Sequence, residues 1–343
     1  MIFSHIVFFA FAAALVATFG ITLYTIGHMG RRGIVGADGH KLSKPEVPEM
    51  GGLAVLQAYP VVLIAAALLY WQAHHGFSLT PIIAALGVFE IAAFIGVVDD
   101  LQKLSHRIKP LLLLLAALPL ILLKPGIPSI RLPFFTLDFH NLFGSDLSLL
   151  FWLVAVPLGV TGAANVSNML AGFNGLSSGL SFIASAALAA AGYMTNQPSV
   201  TLIFTAMAGA QLAFWWFNRY PARIFPGDTG TLSFGALLAA GIVVGNIEFI
   251  GLLVLLPQVF NASISLLSVG RFFEEQQFRK QKLSALKIEG DGRIWFTRLQ
   301  PPITLCKILL YRRPQTENAL VAKVYVLGIL SSLAALAALY AWT

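Results

Sequence analysis

The sequence predicts an all-α polytopic membrane protein with about ten transmembrane helices. Of the 343 residues, 57% are hydrophobic and only 11% are charged, whereas a soluble domain carries about 25% charged residues. Most of the surface must therefore face something other than water. The apolar runs have the length of a spanning helix, roughly 17–25 residues, and lack the alternating pattern of barrel strands. The basic residues, in addition, fall almost entirely on one side of these runs.

Ten apolar runs follow one another along the chain, and we expect them to form one membrane domain over residues 1–343. The first has no basic segment before it and is expected to be a retained helix, not a cleaved signal peptide. The single cysteine, Cys306, excludes an internal disulfide and a cysteine-rich metal site. The runs lie at about 2–26, 51–71, 81–98, 110–123, 147–165, 178–194, 199–217, 230–245, 247–268 and 321–341.

The distribution of Lys and Arg predicts the orientation. Four segments that alternate with pairs of helices contain 20 of the 22 basic residues: 27–50, 99–109, 218–229 and 269–323. The positive-inside rule puts them in the cytoplasm, with both termini outside and a cytoplasmic insert at 269–320 between helices 9 and 10. Topology and anionic headgroups account for the net charge of +7, so we expect no nucleic-acid partner.

Four junctions on the predicted cytoplasmic side share an unusual composition. One ends in two adjacent carboxylates, and the other three combine carboxylate or amide oxygens with glycines and turn-forming residues; together they indicate one site built from several loops. Glycine lets a backbone approach a ligand closely, and carboxylate and amide oxygens suit magnesium bound to phosphates. The pattern favours phosphoryl transfer at the membrane surface. The junctions are D-G-H-K-L-S-K-P-E-V-P-E-M-G-G (38–52), V-V-D-D (97–100), N-V-S-N-M-L-A-G-F-N-G-L (165–176) and F-N-R-Y-P-A-R-I-F-P-G-D-T-G (217–230).

Asp99 and Asp100 are adjacent carboxylates at the end of an apolar run. They repel each other and lie at the negative end of the helix dipole, so a positive group should be close. Lys103, Lys109 or a divalent cation could supply the charge. A simple helix end facing the headgroups is the alternative.

These motifs resemble those of the polyprenyl-phosphate N-acetylhexosamine-1-phosphate transferases. The resemblance covers residues 27 to 230 and the ten-helix layout. Such enzymes move a sugar-1-phosphate from a UDP-sugar to a lipid phosphate and release UMP. Residues 165–176 and 219–229 resemble the dolichyl-phosphate N-acetylglucosamine-1-phosphate branch of eukaryotes and archaea. The last histidine is His140, so the histidine-rich motif in the last cytoplasmic loop of bacterial enzymes is absent.

The resemblance implies the first step of lipid-linked glycan assembly, such as an N-glycan precursor. The partners would be a UDP-N-acetylhexosamine, dolichyl or polyprenyl phosphate and membrane lipids, and a homodimer is compatible with it. The active site would be cytoplasmic, in the plasma membrane of a prokaryote or archaeon or the endoplasmic reticulum of a eukaryote. A bacterial-type undecaprenyl-phosphate transferase for cell-wall or O-antigen glycans is the alternative enzyme. A transporter is the alternative from another class, although transporters place polar residues near the bilayer midplane.

The same resemblance implies roles for the acids and amides. Asn168 and Asp228 would bind Mg²⁺, for which Mn²⁺ could substitute. The catalytic group would be Asp99, Asp100 and Lys109, with Lys109 binding the acceptor phosphate. The alternatives are a helix-interior amide for Asn168, a helix N-cap for Asp228 and a snorkelling interfacial lysine for Lys109.

The nucleotide-binding group would be Glu49, Gly172, Asn174 and Phe225. An amide can pair with the imide edge of uracil, and glycine leaves room for the ring. For Asn174 the alternative is an ordinary Asn-Gly turn; for Phe225 it is an aromatic residue at headgroup level.

The remaining predicted residues would bind phosphate or the sugar. Lys41, in D-G-H-K together with Asp38, could meet the lipid phosphate. In the last cytoplasmic loop Lys280 and Lys282 are favoured over Arg293 and Arg298, with a lipid-facing basic patch as the alternative. Residues 287–296 of this loop predict a β-hairpin around a glycine turn. No role follows for Glu90, an acid inside an apolar run.

Overall fold

The protein is a helical bundle whose long helices have the length and composition of membrane spans. The structure, a computed structural model, describes residues 2–105, 107–271 and 286–342. In this part of the chain the helices are α1 Ile2–Arg31, α2 Gly52–Ala73, α3 Thr80–Gln102, α4 Ile108–Leu115, α5 Leu118–Leu123, α6 Ser148–Leu150, α7 Val156–Met169, α8 Leu176–Met194, α9 Pro198–Asn218, α10 Gly227–Gly245, α11 Glu248–Val254, α12 Leu256–Arg271, α13 Leu305–Leu310 and α14 Glu317–Trp342.

Each of the ten predicted runs coincides with helix, and the polytopic all-α prediction is confirmed. Within the described residues, eight helical segments are long and apolar enough to span a membrane. One of them, Ser148–Met169, joins α6, a π-helical turn at Phe151–Ala155 and α7. A ninth span results if α11 and α12, which meet at a bend of 73°, count as one. The predicted fourth run is a shorter apolar segment, Ile108–Leu123, divided between α4 and α5. The count of ten spans stays a prediction.

Three small antiparallel hairpins lie between the helices. The hairpin predicted at 287–296 is confirmed by β5 (Leu286–Ile288) paired with β6 (Ile294–Phe296). Two more were not predicted. In one, β1 (Val35–Ala37) pairs with β2 (Glu46–Pro48), and in the other β3 (Ser129–Arg131) pairs with β4 (Thr136–Asp138).

The helix α10 is at the centre of the bundle, with 83% of its apolar window buried. It packs most extensively against α3 and α7. The contacts are close because they are made through glycines: a Cβ on Gly96 of α3 would lie 2.5 Å from Thr229 Cα, and one on Gly52 of α2 would lie 2.2 Å from Gly230 N. Small residues let membrane helices approach in this way. The result is a fixed position for the first turn of α10.

Three of the four predicted motifs meet at that first turn. Residues 97–100 lie near the end of α3, residues 165–169 end α7, and residues 227–230 begin α10. The first motif joins them through backbone hydrogen bonds, because Gly51 N donates to Phe225 O and Phe225 N donates to Pro48 O, both at 2.8 Å. All the polar junctions therefore gather at one end of the spans.

Candidate active site

A cavity of about 340 Å³ opens where these junctions meet. Its wall includes segments from the first loop, the end of α3, the end of α7 with the turn that follows, and the start of α10. Seven of the twelve predicted site residues line it: Glu49, Asp100, Asn168, Gly172, Asn174, Phe225 and Asp228. Residues from four distant parts of the chain are thus brought to one place.

Lys109 connects two of the predicted acids beside the cavity. Its Nζ lies 2.5 Å from Asp99 Oδ2 and 2.6 Å from Asp228 Oδ2, and its side chain is only 16% exposed. The other oxygen of Asp99 accepts a hydrogen bond from Leu104 N at 2.7 Å. The ammonium group offsets the negative charge of two neighbouring carboxylates in a largely buried place. The positive group that the Asp99–Asp100 pair requires is therefore Lys109.

Asp100 caps α10 from a neighbouring helix. Its Oδ1 accepts a hydrogen bond from Asp228 N at 2.8 Å, and its Oδ2 accepts from Thr229 N at 3.0 Å and Thr229 Oγ1 at 2.7 Å. A carboxylate satisfies the free N–H groups of a first turn and is stabilised by the helix dipole. The N-cap alternative for Asp228 is wrong, because the cap is Asp100 and the Asp228 carboxylate is paired with Lys109.

Gly227 makes this cap possible. Its φ is +67°, a conformation that favours glycine, and a Cβ would lie 2.5 Å from Asp100 Oδ2. The sequence P-G-D-T therefore combines three requirements: a glycine that lets the cap approach, an aspartate that faces Lys109, and a threonine that adds a second donor to Asp100.

A second network holds the first loop to the turn after α7 and to α14. Asn174 Nδ2 donates to Asp38 Oδ2 at 3.0 Å, and Asn174 N donates to Glu317 Oε1 at 2.7 Å. Lys41 Nζ pairs with Asp38 and, at 3.3 Å, with Glu317. Burial opposes ionisation of Asp38, but the hydrogen bonds from Lys41 and Asn174 outweigh it and lower the pKa of this carboxyl.

His40 is a cavity residue that the sequence reasoning did not select, although it lies within the quoted D-G-H-K motif. Its ring stacks on Phe173 with centroids 4.3 Å apart and planes 20° apart. Burial lowers the pKa of the imidazole, even though the carboxylates of Glu317 and Asp38 act in the opposite direction. Lys103 also lines the cavity, and it forms no ion pair with any residue that the structure describes.

The other predicted residues differ in their surroundings. Glu49 lies over Gly36, where a Cβ would be 1.9 Å from its Oε1. Lys41 is engaged by two carboxylates and does not belong to the cavity wall. Arg293 pairs with Asp291 at 2.7 Å on the β5–β6 hairpin. Lys280 and Lys282 lie outside the described residues.

The donor set fits a magnesium ion shared with a substrate. Asp228 and Asn168 both line the cavity and offer a carboxylate and an amide oxygen. In the described part of the chain, no three His, Cys, Asp or Glu side chains group as a metal cage. Magnesium is commonly held by one or two carboxylates together with substrate phosphates and water, so this sparse set suits it.

Comparison with known proteins places the chain in a family. Residues 82–246 match glycosyl transferase family 4. A provisionally named glycosyltransferase of Methanocaldococcus jannaschii is 32% identical over 86% of this chain and 84% of its own length. A protein of Saccharolobus solfataricus, provisionally named as a UDP-N-acetylglucosamine–dolichyl-phosphate N-acetylglucosaminephosphotransferase, is 28% identical over 84% and 83%. The phospho-N-acetylmuramoyl-pentapeptide-transferase of Streptococcus uberis is 31% identical over 87% of each chain.

The protein is an integral-membrane sugar-1-phosphate transferase. This follows from the membrane bundle, from the carboxylate–lysine site at the end of its spans and from these similarities. The chain belongs to glycosyl transferase family 4, and the family resemblance predicted from its motifs is confirmed.

Proposed function

We propose that the protein transfers N-acetylglucosamine-1-phosphate, or a related N-acetylhexosamine-1-phosphate, from a UDP-sugar to dolichyl or another polyprenyl phosphate and releases UMP. Two archaeal relatives bear the name of this activity. The observation that supports it most is the Asp99–Lys109–Asp228 group beside a cavity at the end of the spans. That location can receive one substrate from water and the other from the lipid layer.

The reaction we propose is a direct displacement. An oxygen of the acceptor phosphate attacks the β-phosphorus of the UDP-sugar. The bond from this phosphorus to the oxygen bridging to the α-phosphate breaks, and the electron pair leaves with UMP. A phosphate oxygen is already a competent nucleophile, so holding the two substrates in line and neutralising charge supply most of the rate enhancement.

The residues divide this work between them. Asp99 and Lys109 would hold the acceptor phosphate in place, with Asp99 able to accept its proton if it arrives protonated. Asp100 fixes the first turn of α10, from which Asp228 extends. Lys103, which is not paired with a described carboxylate, is available to the diphosphate. Glu49, Gly172, Asn174 and Phe225 would receive the uridine.

Magnesium is part of the proposal. Asp228 and Asn168 would hold it together with the diphosphate, and Mn²⁺ could replace it. When bound, it would neutralise the charge that develops on the leaving phosphate. We further propose that the cavity faces the cytoplasm, as the distribution of basic residues indicates.

A transfer assay with the purified protein in detergent tests the proposal. The substrates would be radiolabelled UDP-N-acetylglucosamine and dolichyl phosphate, with magnesium or with EDTA. We expect magnesium-dependent release of UMP and a labelled lipid product. Asp228→Ala should abolish both, whereas Asp146→Ala, at an exposed carboxylate outside the cavity, should be active.

A second donor substrate tests the alternative of a bacterial-type undecaprenyl-phosphate transferase. The similarity to the streptococcal enzyme is the reason for this test. Product formed with UDP-N-acetylmuramoyl-pentapeptide and undecaprenyl phosphate, but not with UDP-N-acetylglucosamine, would retain the mechanism and change the substrate. If folded protein forms no lipid product from any donor, the transferase proposal fails and the transporter becomes the better account.

A further inference from the structure

His40 is held in the cavity wall by contacts from two loops. Its backbone N donates to Asp38 Oδ1 at 3.3 Å, and Asp38 Oδ2 accepts from Asn174 Nδ2. Phe173, the residue before Asn174, supports the imidazole ring by stacking. The Asp38 carboxylate is thereby occupied by its protein partners, whereas the imidazole stands at the cavity with its ring nitrogens free of any hydrogen bond to a described residue.

The environment favours the neutral form of this imidazole. The charged groups that act on it are the carboxylates of Asp38 and Glu317, which favour protonation, and the Lys41 ammonium, which opposes it. Burial is the largest influence and lowers the pKa of His40. A neutral imidazole offers one N–H donor and one nitrogen acceptor. The two nitrogens point in different directions, so each can bind an uncharged ligand group that presents a donor or an acceptor, but not both to the same group.

Two uncharged parts of a UDP-N-acetylhexosamine meet that description: the imide edge of uracil and the acetamido group of the sugar. The base is favoured because Phe173, which stacks on His40, is next to Asn174, the amide assigned above to the uridine, and all three residues line the same cavity. The diphosphate needs positive charge, and of the cavity-lining residues Lys103 is a lysine whereas His40 is neutral.

We propose that His40, supported by Phe173, recognises the uracil base of the donor nucleotide through one of its ring nitrogens and so helps to set specificity for UDP-sugars. The inference rests on the proposed function. It adds a nucleoside-reading side chain to Glu49, Gly172, Asn174 and Phe225, and it assigns the first loop a part in nucleotide selection.

Steady-state kinetics of His40→Ala, His40→Gln and the control His75→Ala test this inference. His75 lies in the turn between α2 and α3. For His40→Ala we expect the KM for UDP-N-acetylglucosamine and the inhibition constant of UMP to rise together, by roughly three- to tenfold for one lost hydrogen bond. The KM for dolichyl phosphate should stay unchanged. His40→Gln, whose amide retains a donor and an acceptor, should recover most of the loss, and the preference for UMP over CMP should fall in His40→Ala.

Three results would overturn the inference. If the KM for the UDP-sugar rises while inhibition by UMP is unchanged, His40 contacts the sugar. If the KM for dolichyl phosphate rises equally and His40→Gln gives no recovery, the role is structural. The third result would be that the kinetic constants of His40→Ala equal those of the wild type. Should the protein transfer no sugar at all, thermal-shift titration of the wild type and His40→Ala with UMP and CMP still decides the matter, so this inference and the proposed function fail separately.

Discussion

Lys109 is the residue on which the charge arrangement of the site depends. Its ammonium group lies within 2.6 Å of carboxylate oxygens from two helices, Asp99 of α3 and Asp228 of α10. Without it, two acids would face each other in a mostly buried place, and one would take up a proton.

Replacing this lysine by Lys109→Met removes the charge and keeps the length of the side chain. We expect a loss of stability of about 1.5–3 kcal/mol, the range for hydrogen bonds to charged groups, and a large loss of kcat. Thermal melting and the transfer assay measure the two effects. A variant that melts like the wild type and differs only in the KM for dolichyl phosphate would show that Lys109 serves the acceptor and not the pair of acids.

We expect Asp100→Asn and Asp228→Asn to affect stability and activity differently. Asp100→Asn weakens the cap of α10, so stability should fall by about 1 kcal/mol and kcat should fall with it. Asp228→Asn leaves the cap in place and should remove activity with a smaller change in melting temperature. Equal melting temperatures for the two variants would contradict the capping role of Asp100.

Because of Asp38, the free energy of unfolding should depend on pH in the acid range. Its pKa is lowered in the folded protein from an ordinary value of 3.8. The stabilisation is therefore complete above that ordinary value and is lost as the pH falls through the lower, folded pKa. The melting temperature of the wild type should exceed that of Asp38→Asn at neutral pH, and the difference should shrink below about pH 4. A difference that is constant with pH would exclude an ionised Asp38.

At the scale of the elements, the position of α10 depends on glycines in its neighbours. Since a Cβ on Gly96 would lie 2.5 Å from the Thr229 backbone, a single methyl group forces α3 away from the first turn of α10. That turn carries both Asp228 and the amides that Asp100 caps. The packing of α3 against the first turn of α10 therefore also determines the geometry of the site.

The variant Gly96→Ala tests this coupling. We expect a loss of about 1–3 kcal/mol from overpacking together with a severe loss of activity. Gly159→Ala is the matched control, because a Cβ on that α7 glycine meets nothing within 4 Å, and the change should be neutral or slightly stabilising. Full activity of Gly96→Ala would mean that α3 and α10 can separate without disturbing the site.

At the scale of the whole molecule, the sequence predicts those helices and strands that depend on a single local signal, such as hydrophobic length or a glycine turn. Eight of the ten apolar runs form helical segments long enough to span a membrane, as their hydrophobic length predicts, whereas the run at 110–123 is divided and the run at 247–268 is bent. The β5–β6 hairpin was predicted from its glycine turn. The β1–β2 and β3–β4 hairpins were not, since strands of three residues are too short for a periodic pattern. Glu317 was missed because its contact with Lys41 joins residues 276 positions apart, and a lone acid before an apolar run gives no signal of such a partner.

The orientation of the whole molecule can be tested with isosteric cysteines. The variants would be Ser43→Cys in the first loop and Ser145→Cys after the β3–β4 hairpin, both exposed; the native Cys306 is buried. With an impermeant maleimide on intact cells, Ser145→Cys should be labelled and Ser43→Cys should react only after lysis. The reverse result would invert the topology and put the cavity outside the cell.

The tight fit of α10 among its glycine contacts also bears on how the substrates meet. A helix packed this closely against two neighbours is poorly suited to the rocking motion by which transporters expose a site alternately to either side. In the reaction proposed above, the cavity would bring together two substrates that diffuse in different ways. One substrate searches in three dimensions and the other in two, confined to a single leaflet. The rate of transfer should then depend on the amount of lipid acceptor per unit area of membrane and not on its amount per volume of cell.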